Sequence, residues 1–120
     1  MKQKKILFIN RQAPYGTALA QEALDILLMA STFNQEISVA FIDDGILQIK
    51  KGQTPDHILA KNFSLAFKAL PLYEIQNVYV EEESLASSGL KTEDLLIPVA
   101  VKNSAELANI IQQQDIIFNF

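Results

Sequence analysis

The chain has 120 residues, the usual size of one domain, and its 49% hydrophobic and 20% charged residues are apolar enough to build a core rather than stay disordered. Its net charge is −4, and the ten Lys and Arg are dispersed apart from Lys2, Lys4 and Lys5, which offers no basic face for a phosphate backbone and disfavours direct nucleic-acid binding. There are no cysteines, so a disulfide, a thiolate nucleophile, a persulfide and a Cys-ligated metal are all excluded.

The absence of Cys fits a reducing compartment. The apolar run Ile6 to Ile9 behind the basic N-terminus is too short for a signal-peptide core, and no stretch approaches the ~20 apolar residues of a membrane span. A soluble cytoplasmic protein is expected, with residues 1–120 forming a single domain.

Along the chain, strand and helix signals alternate, which points to an α/β layer fold. Ile6-Leu7-Phe8-Ile9 is an unbroken apolar run, the pattern of a strand covered on both faces. The turn-rich stretch from Asn10 to Gly16 follows, and Thr17 can cap a helix running to about Ser31. In that helix Leu24, Leu27, Leu28 and Ser31 form one stripe and Gln21, Glu22, Asp25 and Thr32 the polar side, with Met29 one turn beyond Asp25 on the polar side.

Ile37 to Ile42 reads as the second strand, Asp43-Asp44-Gly45 as a turn, and Ile46 to Ile49 as a short helical turn that Gly52 breaks. Thr54-Pro55-Asp56 has the residues of a helix start, and Phe63, Ala66, Phe67 and Leu70 follow at helical spacing up to Pro71. Ile75 to Val80 is the third strand, with Val78 and Val80 on one face and Tyr79 on the other. A short helix from Ser84 ends at Gly89. Leu95 to Val101 reads as a fourth strand, in which Pro98 demands an edge or an entry position. Asn103 and Glu106 have capping-box spacing for a helix to about Gln114, and Asp115 to Phe120 closes the chain as a fifth strand. The expectation is a five-stranded, mostly parallel sheet with helices on both faces.

None of the chemistry-bearing residues forms a motif. Pro14-Tyr15-Gly16-Thr17 offers free N–H groups at a helix start, where an anion could sit, but Gly16 stands alone without the glycine pattern of a dinucleotide or P-loop site. A plain strand-to-helix turn is the simpler reading. Asp43 and Asp44 could bind a hard cation or simply form a turn with Gly45. His57 has no Cys to activate and no nucleophile-elbow Ser to serve. Glu81, Glu82 and Glu83 could act as acid and base, or could be charge placed at a helix N-terminus, and they fall just past a strand end, where open α/β sheets hold ligands. No catalytic, cofactor-binding or metal-binding residue is assigned.

The segments Ala13-Pro14-Tyr15-Gly16-Thr17-Ala18, Glu22 to Leu28, Phe41-Ile42-Asp43-Asp44-Gly45-Ile46-Leu47-Gln48 with Gly52-Gln53, Phe67 to Leu70 with Leu72 to Ile75, and Asp115 to Phe120 stand in one order along nearly the whole chain. Together they resemble the TusC (DsrF-like) subunits of bacterial TusBCD sulfur-relay complexes, within the DsrE/F/H superfamily. The resemblance implies a small α/β sheet fold similar to flavodoxin-like proteins, and membership of a dimer of heterotrimers with TusB-like and TusD-like subunits. It also implies an indirect link to TusA-like and TusE-like sulfur carriers, in a relay that ends as the 2-thio group of tRNA wobble uridine.

In DsrE-like subunits the sulfur-carrying Cys follows the third strand. Here that region is Val80 to Glu83, so the persulfide must belong to a partner and this chain is expected to be a non-catalytic subunit. Apolar or acidic residues left over from one core are candidate partner contacts: Met29, Phe67, Tyr73, Glu81 and Phe120. The alternatives are a small flavodoxin-like ligand- or anion-binding protein using the Pro14–Thr17 and Asp43–Gly45 loops, and a homo-oligomer without partners.

Overall fold

The structure, a computed structural model, describes residues 4–11, 25–27, 29–30, 35–50, 75 and 77–120. Five strands form one sheet: β1 (Lys5–Asn10), β2 (Glu36–Phe41), β3 (Asn77–Glu81), β4 (Ala100–Lys102) and β5 (Ile116–Asn119). Their order across the sheet is β4-β3-β2-β1-β5, and every strand pairing is parallel. Between them lie a helical stretch at residues 25–27 and 29–30, a 3-10 segment Asp43–Ile49, helix α1 (Glu82–Ser88), a 3-10 turn Thr92–Asp94 and helix α2 (Ser104–Gln112).

The alternation of side chains along each strand sorts the core into two layers. Ile6 and Phe8 of β1, Ile37, Val39 and Phe41 of β2, and Val78 and Val80 of β3 face one layer with Leu27, Ile46, Ile49 and Leu85. Leu7, Ile9, Ala40 and Ile42 face the other, which α2 covers with Leu107, Ile110 and Ile111. β1 and β2 are apolar on both faces because both faces are covered, as their unbroken apolar runs predict. Val78 and Val80 lie opposite Tyr79, also as predicted.

The order 4-3-2-1-5 differs from the 2-1-3-4-5 order of flavodoxin itself. The step from β3 to β4 moves one way across the sheet and the step from β4 to β5 moves back. With right-handed crossovers the connecting helices must then lie on opposite faces. They do: α1 places Leu85 in the first layer and α2 places Leu107 in the second.

Local signals place most of the described boundaries correctly. Gly89 ends α1 with φ 73, the left-handed conformation that a Cβ would strain. Asn103 caps α2 by accepting the Glu106 N–H at 2.8 Å, while the Glu106 carboxylate accepts the Asn103 N–H at 3.1 Å.

The predicted fourth strand needs correction. Only Ala100–Lys102 pairs with β3, and Leu95 makes a single antiparallel bridge to Lys50. Leu95 and Ile97 are buried in the first layer from an irregular segment, with the Leu96 N–H donating to the Ile49 carbonyl at 2.8 Å. Pro98 has no N–H to give a ladder, so the strand starts after it. Of the candidate contacts, Met29 is exposed at 65%, as its place on the polar side of its helix predicts. Phe120 is half-buried against the first layer and stacks on Phe8. Phe67 and Tyr73 lie outside the described residues, as do the Pro14–Thr17 loop and His57.

Candidate functional site

Because α1 and α2 leave adjacent strands toward opposite faces, a crevice opens beyond the C-terminal ends of β3 and β4, the place where open α/β sheets collect function. Glu81, the last residue of β3 and the N-cap of α1, stands at that point. It borders two hollows. One is polar, has a volume of about 330 Å³, and is lined by Asp43, Asp44, Glu81, Glu83, Ser84 and Ser87. The other, about 160 Å³, lies under α2 and is largely apolar, with Ile9, Ile42, Leu107 and Ile111 in its wall and Arg11 and Glu81 as its charged residues.

The polar hollow is braced by one serine. The Ser84 hydroxyl accepts the Asp43 N–H at 2.8 Å and donates to the Glu81 carboxylate, so a single side chain ties the loop after β2 to the end of β3. Asp43 itself adopts φ 50, which Asp tolerates better than most non-glycine residues. Two residues on, Gly45 packs so tightly on β1 that an added Cβ would lie 1.9 Å from the Asn10 carbonyl oxygen. That carbonyl also accepts the Ile42 N–H at 3.1 Å. The end of β1, the loop after β2 and the start of α1 are thus locked together by one glycine and one serine.

Glu82 and Glu83 occupy the first turn of α1, where the exposed N–H groups favour negative charge. All four ionisable residues of the polar hollow are acidic. Carboxylates repel an anion, so the acidic lining beside the Asp43–Gly45 loop disfavours a phosphate or a flavin phosphate. Among the described residues no three His, Cys, Asp or Glu side chains converge in a way that could hold a metal ion.

Of the candidate contacts among the described residues, only Glu81 lies at this site. Ser84, Gly45 and Arg11 were not singled out from the sequence. For Ser84 a signal existed, a hydroxyl residue at the start of a predicted helix. Gly45 showed only as a turn glycine, since its neighbour Asn10 is distant in the chain.

The DsrE/DsrF-like family model matches residues 4–120. Protein TusC of Buchnera aphidicola subsp. Baizongia pistaciae is 44% identical over 118 residues, covering 98% of this chain and 99% of that protein. The Protein TusC homolog of Vibrio vulnificus is 38% identical, over 97% of this chain and 98% of its own. Intracellular sulfur oxidation protein DsrF of Allochromatium vinosum is 36% identical, over 98% and 96%. Among solved structures, the ychN protein from E. coli superimposes with a TM-score of 0.85 over 98% of this chain and 100% of its own, at 20% identity, a likeness of fold. With the match running from the first described strand to the last residue, the chain belongs to the DsrE/DsrF-like family.

Proposed function

We propose that this chain is a non-catalytic structural subunit of a TusBCD-like sulfur-relay complex that supports 2-thiolation of tRNA wobble uridine. One observation carries the reading: a chain similar to TusC proteins over almost its whole length contains no cysteine at all. Sulfane sulfur is held and passed by a thiolate, and a carboxylate or hydroxyl cannot take its place. The segment from the end of β3 into α1, Glu81-Glu82-Glu83-Ser84, supplies only those two groups. The persulfide is then carried by a Cys of a TusD-like partner, with a TusB-like subunit completing a dimer of heterotrimers in the cytoplasm. TusA-like and TusE-like carriers act on the complex without touching this chain's chemistry.

The crevice around Glu81 is the natural place for this chain to meet the sulfur-bearing partner. Carboxylates at that border oppose thiolate formation in a nearby cysteine, so Glu81 and Glu83 serve docking rather than activation. The exposed Met29 adds an apolar contact candidate on the helical stretch.

The test is co-expression with TusB-like and TusD-like partners, followed by size-exclusion chromatography with light scattering. Co-elution of all three chains at a defined mass is the expected result. A chain that elutes apart from both partners, whatever its own oligomeric state, sinks the reading.

A further inference from the structure

We infer that the outer edge of β5 is a self-pairing surface, taken in solution by the β5 strand of a second copy of this chain running antiparallel. The inference is independent of the sulfur-relay reading and rests on the strand itself.

β5 occupies one end of the sheet, and among the described residues no strand lies beyond it. Its sequence Ile116-Ile117-Phe118-Asn119 carries no charge and no proline, the devices by which sheet edges usually repel added strands. Ile117 is 41% exposed on one face and Phe118 is 38% exposed on the other. Apolar residues on both faces are the pattern of an interior strand, as β1 and β2 show. β5 therefore has the composition of an interior strand and the position of an edge. Asp115, the acid that precedes the strand, is committed within the chain. Its carboxylate accepts the Lys5 N–H at 2.8 Å, and its own N–H donates to the Lys5 carbonyl at 2.8 Å.

The backbone settles what fits. Phe120 turns both polar groups toward β1, its N–H donating to Ile9 and its carbonyl accepting from Arg11, each at 2.8 Å. Backbone groups alternate sides along a strand, so Phe118 and Ile116 also bond inward, and Ile117 and Asn119 turn their N–H and C=O outward. The occupant must bring the complementary row, which only an extended strand does.

Two copies related by a two-fold axis must pair antiparallel, with outward residue against outward residue. Centring the axis on Phe118 sets Ile117 of each copy against Asn119 of the other and uses every outward group. Centring it on Ile117 sets Asn119 against Asp115, whose N–H is already spent on Lys5. The Phe118 register also sets no like charges opposite. It brings the two Phe118 rings together on one face, extending across the axis a stack in which Phe118 already lies 5.1 Å from Phe8 at an interplanar angle of 20°.

A ladder this short buries less than the roughly 800 Å² per partner of a standard interface, so the dimer is expected to dissociate on dilution. The purified full chain is followed by light scattering across a dilution series, beside Asn119→Pro, which removes one outward donor and leaves the β1 ladder intact. The wild type is expected to show twice the monomer mass at the top of the series, and Asn119→Pro the monomer mass throughout, with unchanged circular dichroism.

Because the chain has no native cysteine, register is read by single-Cys variants under mild oxidation. Opposed residues of a non-hydrogen-bonded pair sit about 4.5 Å apart at Cα, within disulfide reach. Phe118→Cys is therefore expected to cross-link to itself, and Ile117→Cys, set against Asn119, is not. The same gel readout works within any complex that contains the chain. A wild type monomeric at every concentration, a Phe118→Cys that stays uncross-linked, or equal cross-linking at both positions overturns the inference. So does finding the edge filled only by a strand of a different protein.

Discussion

The two margins of the sheet are built from different materials. At β4 the ladder is three residues long, is entered just after Pro98 and leaves through Lys102, whose ammonium lies 3.9 Å from Glu106. It does expose Val101, but on a strand too short and too charged at its end to accept a neighbour. At β5 the strand is uncharged, holds to β1 over its whole length, and is anchored by the Phe8–Phe118 and Phe8–Phe120 stacks. One margin carries polar groups at its ends, whereas the other is held from within and exposes Ile117 and Phe118. The difference teaches that an edge strand's exposure has to be judged with its charge and length, since exposed apolar area alone would rank Val101 beside Phe118.

This contrast can be tested one residue at a time. The largest effect is expected at the aromatic anchor. Phe8 is fully buried and carries both stacks, so Phe8→Ala should cost about 3–5 kcal/mol in urea unfolding. Hydrogen exchange should show β5 losing protection before β3; equal loss in both strands would mean that β5 has no separate anchor.

Between the margins, Gly45→Ala forces a methyl onto the Asn10 carbonyl and should cost about 1–3 kcal/mol, a typical overpacking penalty. A neutral outcome in thermal melts would show that the junction of β1 with the loop after β2 yields readily.

On the β4 side the effects should be smaller. Asn103→Ala removes the cap of α2 and is expected to cost about 1 kcal/mol, with the loss of protection confined to α2 and β4. Lys102→Ala breaks only a half-exposed ion pair and should change stability by about 0.5 kcal/mol or less, shrinking further in high salt. A Lys102 effect larger than that of Asn103 would mean that charge, and not the cap, secures this margin.

Much of the fold was legible because its signals are local. Apolar runs marked β1, β2, β3 and β5 within one or two residues, Gly89 marked the end of α1, and the Asn103–Glu106 spacing marked the start of α2. The fourth strand was overextended because Leu95 and Ile97 are apolar for the core yet sit in an irregular segment ahead of Pro98. Of the site, Glu81 was legible as charge beyond a strand end. Its tie to Asp43 through Ser84 was not, since it joins residues about forty positions apart.

The sequence by itself determined that this protein is an α/β domain without a thiol, because composition and the periods of two and 3.6 residues act over a few neighbours and need no partner. Only the tertiary structure decided that the strands stand in the order 4-3-2-1-5, that Glu81 borders two hollows, and that β4 and β5 are the outermost strands among the described residues. Those features depend on which distant segments lie side by side. The pairing of β1 with β5 joins Ile6 to Ile116, across almost the whole chain, and no local preference of either residue encodes it.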